Sequence, residues 1–505
     1  MPSPTPSPSR HDAVLAIDLG TSSVKALLLS PAGDVLAIGK GTHPTHRPHP
    51  GWNEQDPADW WAGVRAAVHE ALAGRPGCTV AAIGLTGQMH GTVALDAAGE
   101  PVRPAIIWSD RRSDAAREAI AREIGPDLAR RIGGPLGVGY LAATARWLRD
   151  HEPETTARIA SLLLPKDALA LRLTGAPATE PSDAISTGLL NAETWTWDMP
   201  MLAAAGVDPV WLPEVLPSGT IAGHLLPNRA TDLGLEAGIP VVLAGGDAPC
   251  AAFGAGVTAG DETMVVLSSG AQVILPTPGF APDAAARWHT FPSAVGIHGN
   301  GEGRNRVCAT GNAGIALEWL ARITGTPVAT LLDEATDVTP GAEGVLFVPS
   351  LTGQRTPILD AQAKGAFFGL ADRHERKHLA RAVAEGVVLA CRQALDTIAG
   401  NRRPARVRLG GGPSQHPLMR QLVADILGLP VLPMASPDLT AIGAARSAAL
   451  AIGWPDPHAA PGHDASTIRP DPEAASRYDR LLAIFLDAQE ASRTVAHRLQ
   501  EPARS

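Results

Sequence analysis

A chain of 505 residues is too long for one ordinary core, so two large domains are expected, and a hydrophobic fraction of 45% supplies the apolar material to fill them. Lys and Arg number 42 against 51 Asp and Glu, a formal charge of −9 without any basic run, and aromatic residues make up 4%. That balance argues against nucleic acid or an anionic membrane as the main partner. Cys78, Cys250, Cys308 and Cys391 are far apart and form no Cys-x-x-Cys pair, so neither a zinc site nor a disulfide framework is expected, and a reducing cytoplasm fits. No apolar run is long enough for a transmembrane helix.

Residues 1–12, Pro- and Ser-rich at their start, read as a disordered tail rather than a signal peptide. The stretch from Val14 to Ser30 then alternates apolar run, acid, small polar turn and apolar run, the pattern of a β-hairpin. Its tip offers backbone N–H groups and the hydroxyls of Thr21, Ser22 and Ser23, with Lys25 behind, chemistry suited to a polyphosphate. Asp18, at the end of the first strand, is placed to hold Mg²⁺, which prefers carboxylate and water oxygens; a turn-shaping role is the plain alternative. His43, His46 and His49 are separated by Pro44, Arg47 and Pro48, so an irregular loop is expected there rather than a metal-ligand pair.

A helix is predicted over about 57–74, with Trp60, Trp61, Val64, Val68 and Leu72 on its apolar face, and then a strand over 80–86. Gln88-Met89-His90-Gly91 follows that strand end, where α/β folds place ligand contacts. Trp108-Ser109-Asp110-Arg111-Arg112 offers a ring and an acid for a polyol, or else a salt-bridged surface turn. Trp195 and Trp197 read as packing residues. The β run 241–243 leads through Gly245-Gly246 to Asp247 and a small-residue helix, so Asp247 is either a helix cap or a base that takes a proton from a substrate hydroxyl.

A second hairpin is predicted from 264–267 and 273–275 around Ser268-Ser269-Gly270-Ala271-Gln272, which suggests an internal duplication with a boundary near 256–261. Arg408-Leu409-Gly410-Gly411-Gly412-Pro413-Ser414 reads as strand, glycine run and helix start. It matches neither a Walker A loop nor Gly-x-Gly-x-x-Gly. The tail beyond Ser466 is helical in pattern.

In this order, and with Ala441-Ile442-Gly443-Ala444-Ala445 following, these elements resemble the FGGY carbohydrate kinases of the actin, Hsp70 and hexokinase-like ATPase superfamily, over about residues 13–452. Gly51-Trp52-Asn53-Glu54-Gln55-Asp56-Pro57, Gly87-Gln88-Met89-His90-Gly91, Leu164-Pro165-Lys166-Asp167 and Arg355-Thr356-Pro357 look like signatures of its xylulose kinase branch. The resemblance implies two α/β domains of ribonuclease H-like fold flanking a catalytic cleft. They would be an N-terminal domain over 13–256, a C-terminal domain over 257–452 and a helical extension over 453–505.

It further implies ATP-dependent phosphorylation of D-xylulose to D-xylulose 5-phosphate, in the cytoplasm. Asp247 would be the general base and a sugar contact, with Met89, His90 and Asp110 on the ketose. Asp18 would engage Mg²⁺. Thr21, Ser22, Ser23, Lys25, Ser269, Gly270, Gly411, Gly412 and Ser414 would face ATP. A homodimer is compatible with this reading. Ser268 stands where the family has Gly, Pro249 and Cys250 interrupt its small-residue run, and Gln354 replaces a Glu. Other readings are a family kinase for a different ketose, polyol or sugar acid, an inactive sugar-binding regulator, and a nucleotide-switched chaperone or filament protein.

Overall fold

The computed structural model describes residues 12–258, 261–294, 303–434, 438–456 and 467–500; the tail expected over 1–12 lies outside the described residues except for Asp12. The described residues fall into two compact units, one within Met1–Gly256, Phe291–Gly303 and Asp438–Gly462, the other within Val257–Thr290, Arg304–Pro437 and His463–Ser505. Among the described residues no helix is long and apolar enough to cross a membrane.

The first unit is built on a six-stranded sheet. Strands β1 (Ala13–Leu19), β2 (Ser23–Leu29), β3 (Val35–Thr42), β4 (Val80–Gly87), β5 (Thr220–His224) and β6 (Pro240–Leu243) lie in the order β5-β6-β4-β1-β2-β3. β1 and β2 pair antiparallel as the expected hairpin, as do β2 and β3, while β1, β4 and β6 run parallel. The central strand is buried on both faces, and its residues divide by the two-residue period of a strand. Leu15, Ile17 and Leu19 pack with Trp60, Val64 and Val68 of the helix Pro57–Ala73. Val14 and Ala16 pack with Ala441, Ala444 and Ala448 of the helix Leu439–Ala451.

That second helix, which follows the second unit's strands in sequence, covers the sheet of the first unit. Its backbone approaches the helix Asp247–Gly254 so closely that a Cβ on Gly443 would lie 2.0 Å from the Cys250 carbonyl oxygen.

The second unit repeats the plan. Strands β7 (Glu262–Leu267), β8 (Ala271–Pro278), β9 (His289–Pro292), β10 (Gly303–Thr310), β11 (Arg406–Gly410) and β12 (Val431–Pro433) lie in the order β9-β10-β8-β7-β11-β12. β7 and β8 form the second antiparallel hairpin, and β7, β11 and β12 run parallel. The two sheets thus share the ribonuclease H-like strand order that the resemblance implies.

The helix Pro472–Gln500 is no appendage. Tyr478 and Phe485 sit in the core of the second unit, and the Tyr478 hydroxyl donates to Glu385 Oε1 (2.6 Å) and accepts from Arg381 (2.9 Å).

Candidate active site

The parallel strands bring the predicted residues to one edge. In register, Asp18 lies beside Thr86 and Leu243 beside Leu85, so the chain leaves β1, β4 and β6 at neighbouring C-terminal ends, where open α/β sheets bind ligands. Asp18 is there on β1, Met89 and His90 just past β4, and Asp247 just past β6.

Asp247 occupies the first turn of its helix; Gly246, not Asp247, is the N-cap. Its Oδ1 accepts from Ala248 N at 2.6 Å. Burial pushes its carboxyl up to about 6, against that hydrogen bond. Burial likewise raises Asp18 to about 7; the nearby charge of Asp247, and then Asp438, add to the rise, and Lys25 opposes it. Two carboxyls sharing one strand edge therefore titrate near neutrality, as expected of groups that handle protons or cations.

Met89 is buried against the Gly245-Gly246 turn: a Cβ on Gly246 would meet its Cγ and Sδ at 2.8 Å. His90 has a left-handed backbone (φ 78°), and its ring stacks on Tyr140 with centroids 4.2 Å apart. His90 N donates to Ser186 Oγ (3.1 Å) and its Nδ1–H to the Ser186 carbonyl (3.0 Å), which makes Nε2 the acceptor atom of the neutral ring.

Asp110 is fully buried, with its oxygens accepting from Arg112 Nε (2.9 Å), Arg112 Nη2 (2.7 Å), Arg112 N (2.9 Å) and Asn53 N (2.6 Å). This ion pair is buried, unlike the surface turn weighed against a polyol contact, and it clamps the Gly51–Gln55 segment to the Trp108–Arg112 segment.

At the hairpin tip the carbonyl oxygens are all satisfied within the protein. Gly20 accepts from His43 Nε2 (3.1 Å), Thr21 from Gln55 Nε2 (2.6 Å), Ser22 from His43 N (3.4 Å) and Ser23 from Gly20 N (3.1 Å). Thr21 Oγ1 accepts from Trp108 Nε1 (3.0 Å), and Ser22 is exposed. Tying down the carbonyls removes the backbone groups that would repel an anion. Lys25, expected behind the tip as a phosphate contact, pairs with Asp438 at 2.6 Å, so its charge is balanced before any anion arrives.

In the second unit, Ser268 and Ser269 are exposed at the tip of the β7–β8 hairpin, and their carbonyls accept from the first amides of the helix Gly314–Thr324. Ser268, which replaces a glycine of the family pattern, is not among the positive-φ residues, and its hydroxyl donates to the Gly270 carbonyl (3.1 Å). No left-handed backbone is needed there. Gly411 does need one (φ 95°), and its missing Cβ would lie 1.8 Å from the Leu267 carbonyl oxygen, whereas Gly412 faces open space. Ser414 departs from expectation: it is buried and donates to the Gly411 carbonyl (2.6 Å), closing the turn instead of offering its hydroxyl outward.

Residues 13–254 match the FGGY family of carbohydrate kinases, N-terminal domain, and residues 267–452 match its C-terminal domain. The chain belongs to the FGGY family of carbohydrate kinases. It is 37% identical over 442 residues to a xylulose kinase of Escherichia coli (strain K12), covering 86% of this chain and 90% of that one. It is 35% identical to a xylulose kinase of Klebsiella pneumoniae, covering 87% and 90%. A solved structure described as a xyloylose kinase from Brucella ovis superposes with a TM-score of 0.89 at 31% identity, covering 95% of this chain and 99% of that one. This FGGY kinase is therefore an enzyme that acts on a sugar with ATP as phosphoryl donor.

Gln55, His43, Ser182 and Ser186 were not legible as site residues. Their roles lie in hydrogen bonds to residues 23 or more positions away, and no local spacing signals such bonds. The Gln55 signal lay in the Gly51–Pro57 signature, which marked the segment without giving its purpose. Pro249 and Cys250 fit the first turns of their helix without disruption; Cys250 is buried, and burial raises its thiol.

Proposed function

We propose that this FGGY kinase transfers the γ-phosphoryl group of ATP to the C5 hydroxyl of D-xylulose, giving D-xylulose 5-phosphate and ADP, in the cytoplasm. The observation that carries the reading is Asp247 at the C-terminal edge of the sheet, outside the N-cap position, directly after the Gly246 that packs against Met89, and with a carboxyl raised to about 6. Above that pH it is ionised and takes the hydroxyl proton as the oxygen attacks phosphorus, while the bond from phosphorus to the ADP oxygen breaks. Met89 and His90 orient the ketose, and Ser269, Gly270, Gly411 and Gly412 are the nucleotide-facing backbone of the second unit.

Asp18 suits Mg²⁺, because a cation would relieve the like-charge repulsion from Asp247 that helps raise its carboxyl. Mg²⁺ is ordinarily held by one or two carboxylates plus phosphates and water. Bound there, the metal would neutralise phosphate charge; the proton transfer belongs to Asp247.

The test is ADP release measured over a panel of D-xylulose, other ketoses, glycerol and gluconate. Selective turnover of D-xylulose, abolished in Asp247→Ala, is expected. Turnover of glycerol or gluconate without D-xylulose overturns the substrate, and ATP binding without turnover of any sugar overturns the catalytic role.

A further inference from the structure

Four ionisable side chains that the proposed transfer does not use sit in the core of the first unit, behind the strand ends. Lys166 Nζ lies 2.6 Å from Asp167, 3.5 Å from Asp183 and 3.9 Å from Glu180, and all four residues are at most 1% exposed. One ammonium among three carboxyls costs far more to bury than apolar side chains of the same volume, so the cluster asks for a purpose beyond packing. Its outward hydrogen bonds supply one. Glu180 accepts from Ser182 Oγ (3.0 Å), and Ser182 Oγ in turn accepts from Gly246 N (3.2 Å), the residue before Asp247. Asp183 Oδ1 accepts from Ser186 Oγ (3.3 Å), and Ser186 receives both the main-chain N–H and the ring Nδ1–H of His90. One buried turn, 181–187, thus grips the loop of the base with one serine and the sugar-contacting histidine with another.

We propose that Ser182 and Ser186, oriented by the buried Lys166–Asp167–Glu180–Asp183 cluster, are positioning residues that set Asp247 for proton removal and His90 for the sugar. The carboxyl oxygens draw the serine protons inward, which leaves each hydroxyl's lone pairs to receive an N–H. Ser186 also holds His90 in a backbone conformation that a non-glycine residue rarely adopts, and its carbonyl fixes the ring orientation and the tautomer with Nδ1 as donor. Its double grip assigns Ser186 chiefly to sugar binding, and the contact of Ser182 with Gly246 assigns it chiefly to the chemical step.

The inference rests on the sugar-kinase reading, and steady-state kinetics of serine variants tests it. Ser186→Ala is expected to raise KM for the sugar about tenfold, the effect of one or two lost hydrogen bonds, with KM for ATP unchanged. Ser186→Thr, which keeps the hydroxyl, is expected to restore KM. Ser182→Ala is expected to lower kcat about tenfold and to move the acid limb of the kcat–pH profile, with KM for the sugar little changed. Thr187→Ala removes a hydroxyl from the same turn that bonds only Ala184 O and Leu189 N, and it controls for general loosening. Equal effects in Thr187→Ala and the serine variants, or unaltered kinetics in Ser186→Ala and Ser182→Ala, overturn the proposal. Should the wild-type enzyme prefer another sugar of the panel, the same variants are measured on that sugar, which separates failure of the substrate from failure of the positioning roles.

Discussion

At the residue scale, the proposed chemistry turns on two carboxyls, Asp247 and Asp18, whose burial works against their ionisation. Because Asp247 is raised to about 6, kcat for the sugar is expected to rise with pH through about 6 and then level off. Asp247→Asn, which keeps size and loses the base, is expected to lower kcat by about 10²–10⁴-fold and to remove that acid limb. A pH–rate series on both proteins is the check.

Asp18 yields a stability prediction of definite sign. Its folded-state value of about 7 lies above the ordinary 3.8, so its contribution to stability is fully present below pH 3.8 and is lost as pH rises through 7. In calorimetry without nucleotide or metal, Asp18→Asn is therefore expected to raise Tm by a few degrees at pH 8, and the gain is expected to vanish near pH 4. A Tm unchanged or lowered at pH 8 would mean that Asp18 is not the strained anion described.

At the scale of elements, the two hairpins and the strand–glycine–helix units were legible because period, turn chemistry and glycine placement are local properties of the chain. Residues 14–30 contain both paired strands and the turn between them, and so do 262–278. What was not legible is what each turn faces. Asp110 reads as polyol ligand or as part of a salt-bridged turn, and only the fold shows Arg112 and Asn53 around it; Ser414 reads as a ligand hydroxyl until it is seen bonded to Gly411. Lys166 could be noted as part of a signature, but its partners at 180 and 183 follow no helical or strand spacing from it.

The same scale explains the glycine pair before Asp247. The Gly246 position is crowded by Met89, a flexible side chain that yields by changing rotamer. Gly246→Ala is thus expected to raise KM for the sugar several-fold, because the displaced thioether belongs to the proposed sugar site. Steady-state kinetics beside a melting curve distinguishes this from general destabilisation, which would lower Tm without a selective effect on KM.

At the scale of the whole molecule, the chain is a duplication whose first half is not continuous in sequence. The sheet of the first unit is completed by residues 13–243, but one of its faces is covered by the helix Leu439–Ala451, which arrives after the strands of the second unit. An Ala-rich helix carries little sign in its own sequence of which sheet it covers. Without it, Val14, Ala16, Leu27, Leu29 and Val242 lose the cover that its alanines at 441, 444, 445 and 448 help to form. Burial is worth about 0.8 kcal/mol per methylene-sized group and about 1.5–3 kcal/mol per large apolar side chain. Together these terms rival the about 5–15 kcal/mol of net stability typical of a domain. A chain of residues 12–256 alone is therefore expected to show no cooperative urea transition by circular dichroism, and joining residues 438–456 through a flexible linker is expected to restore one. Cooperative unfolding of 12–256 alone, at a midpoint matching that of the joined chain, would show that the late helix is dispensable to the first unit.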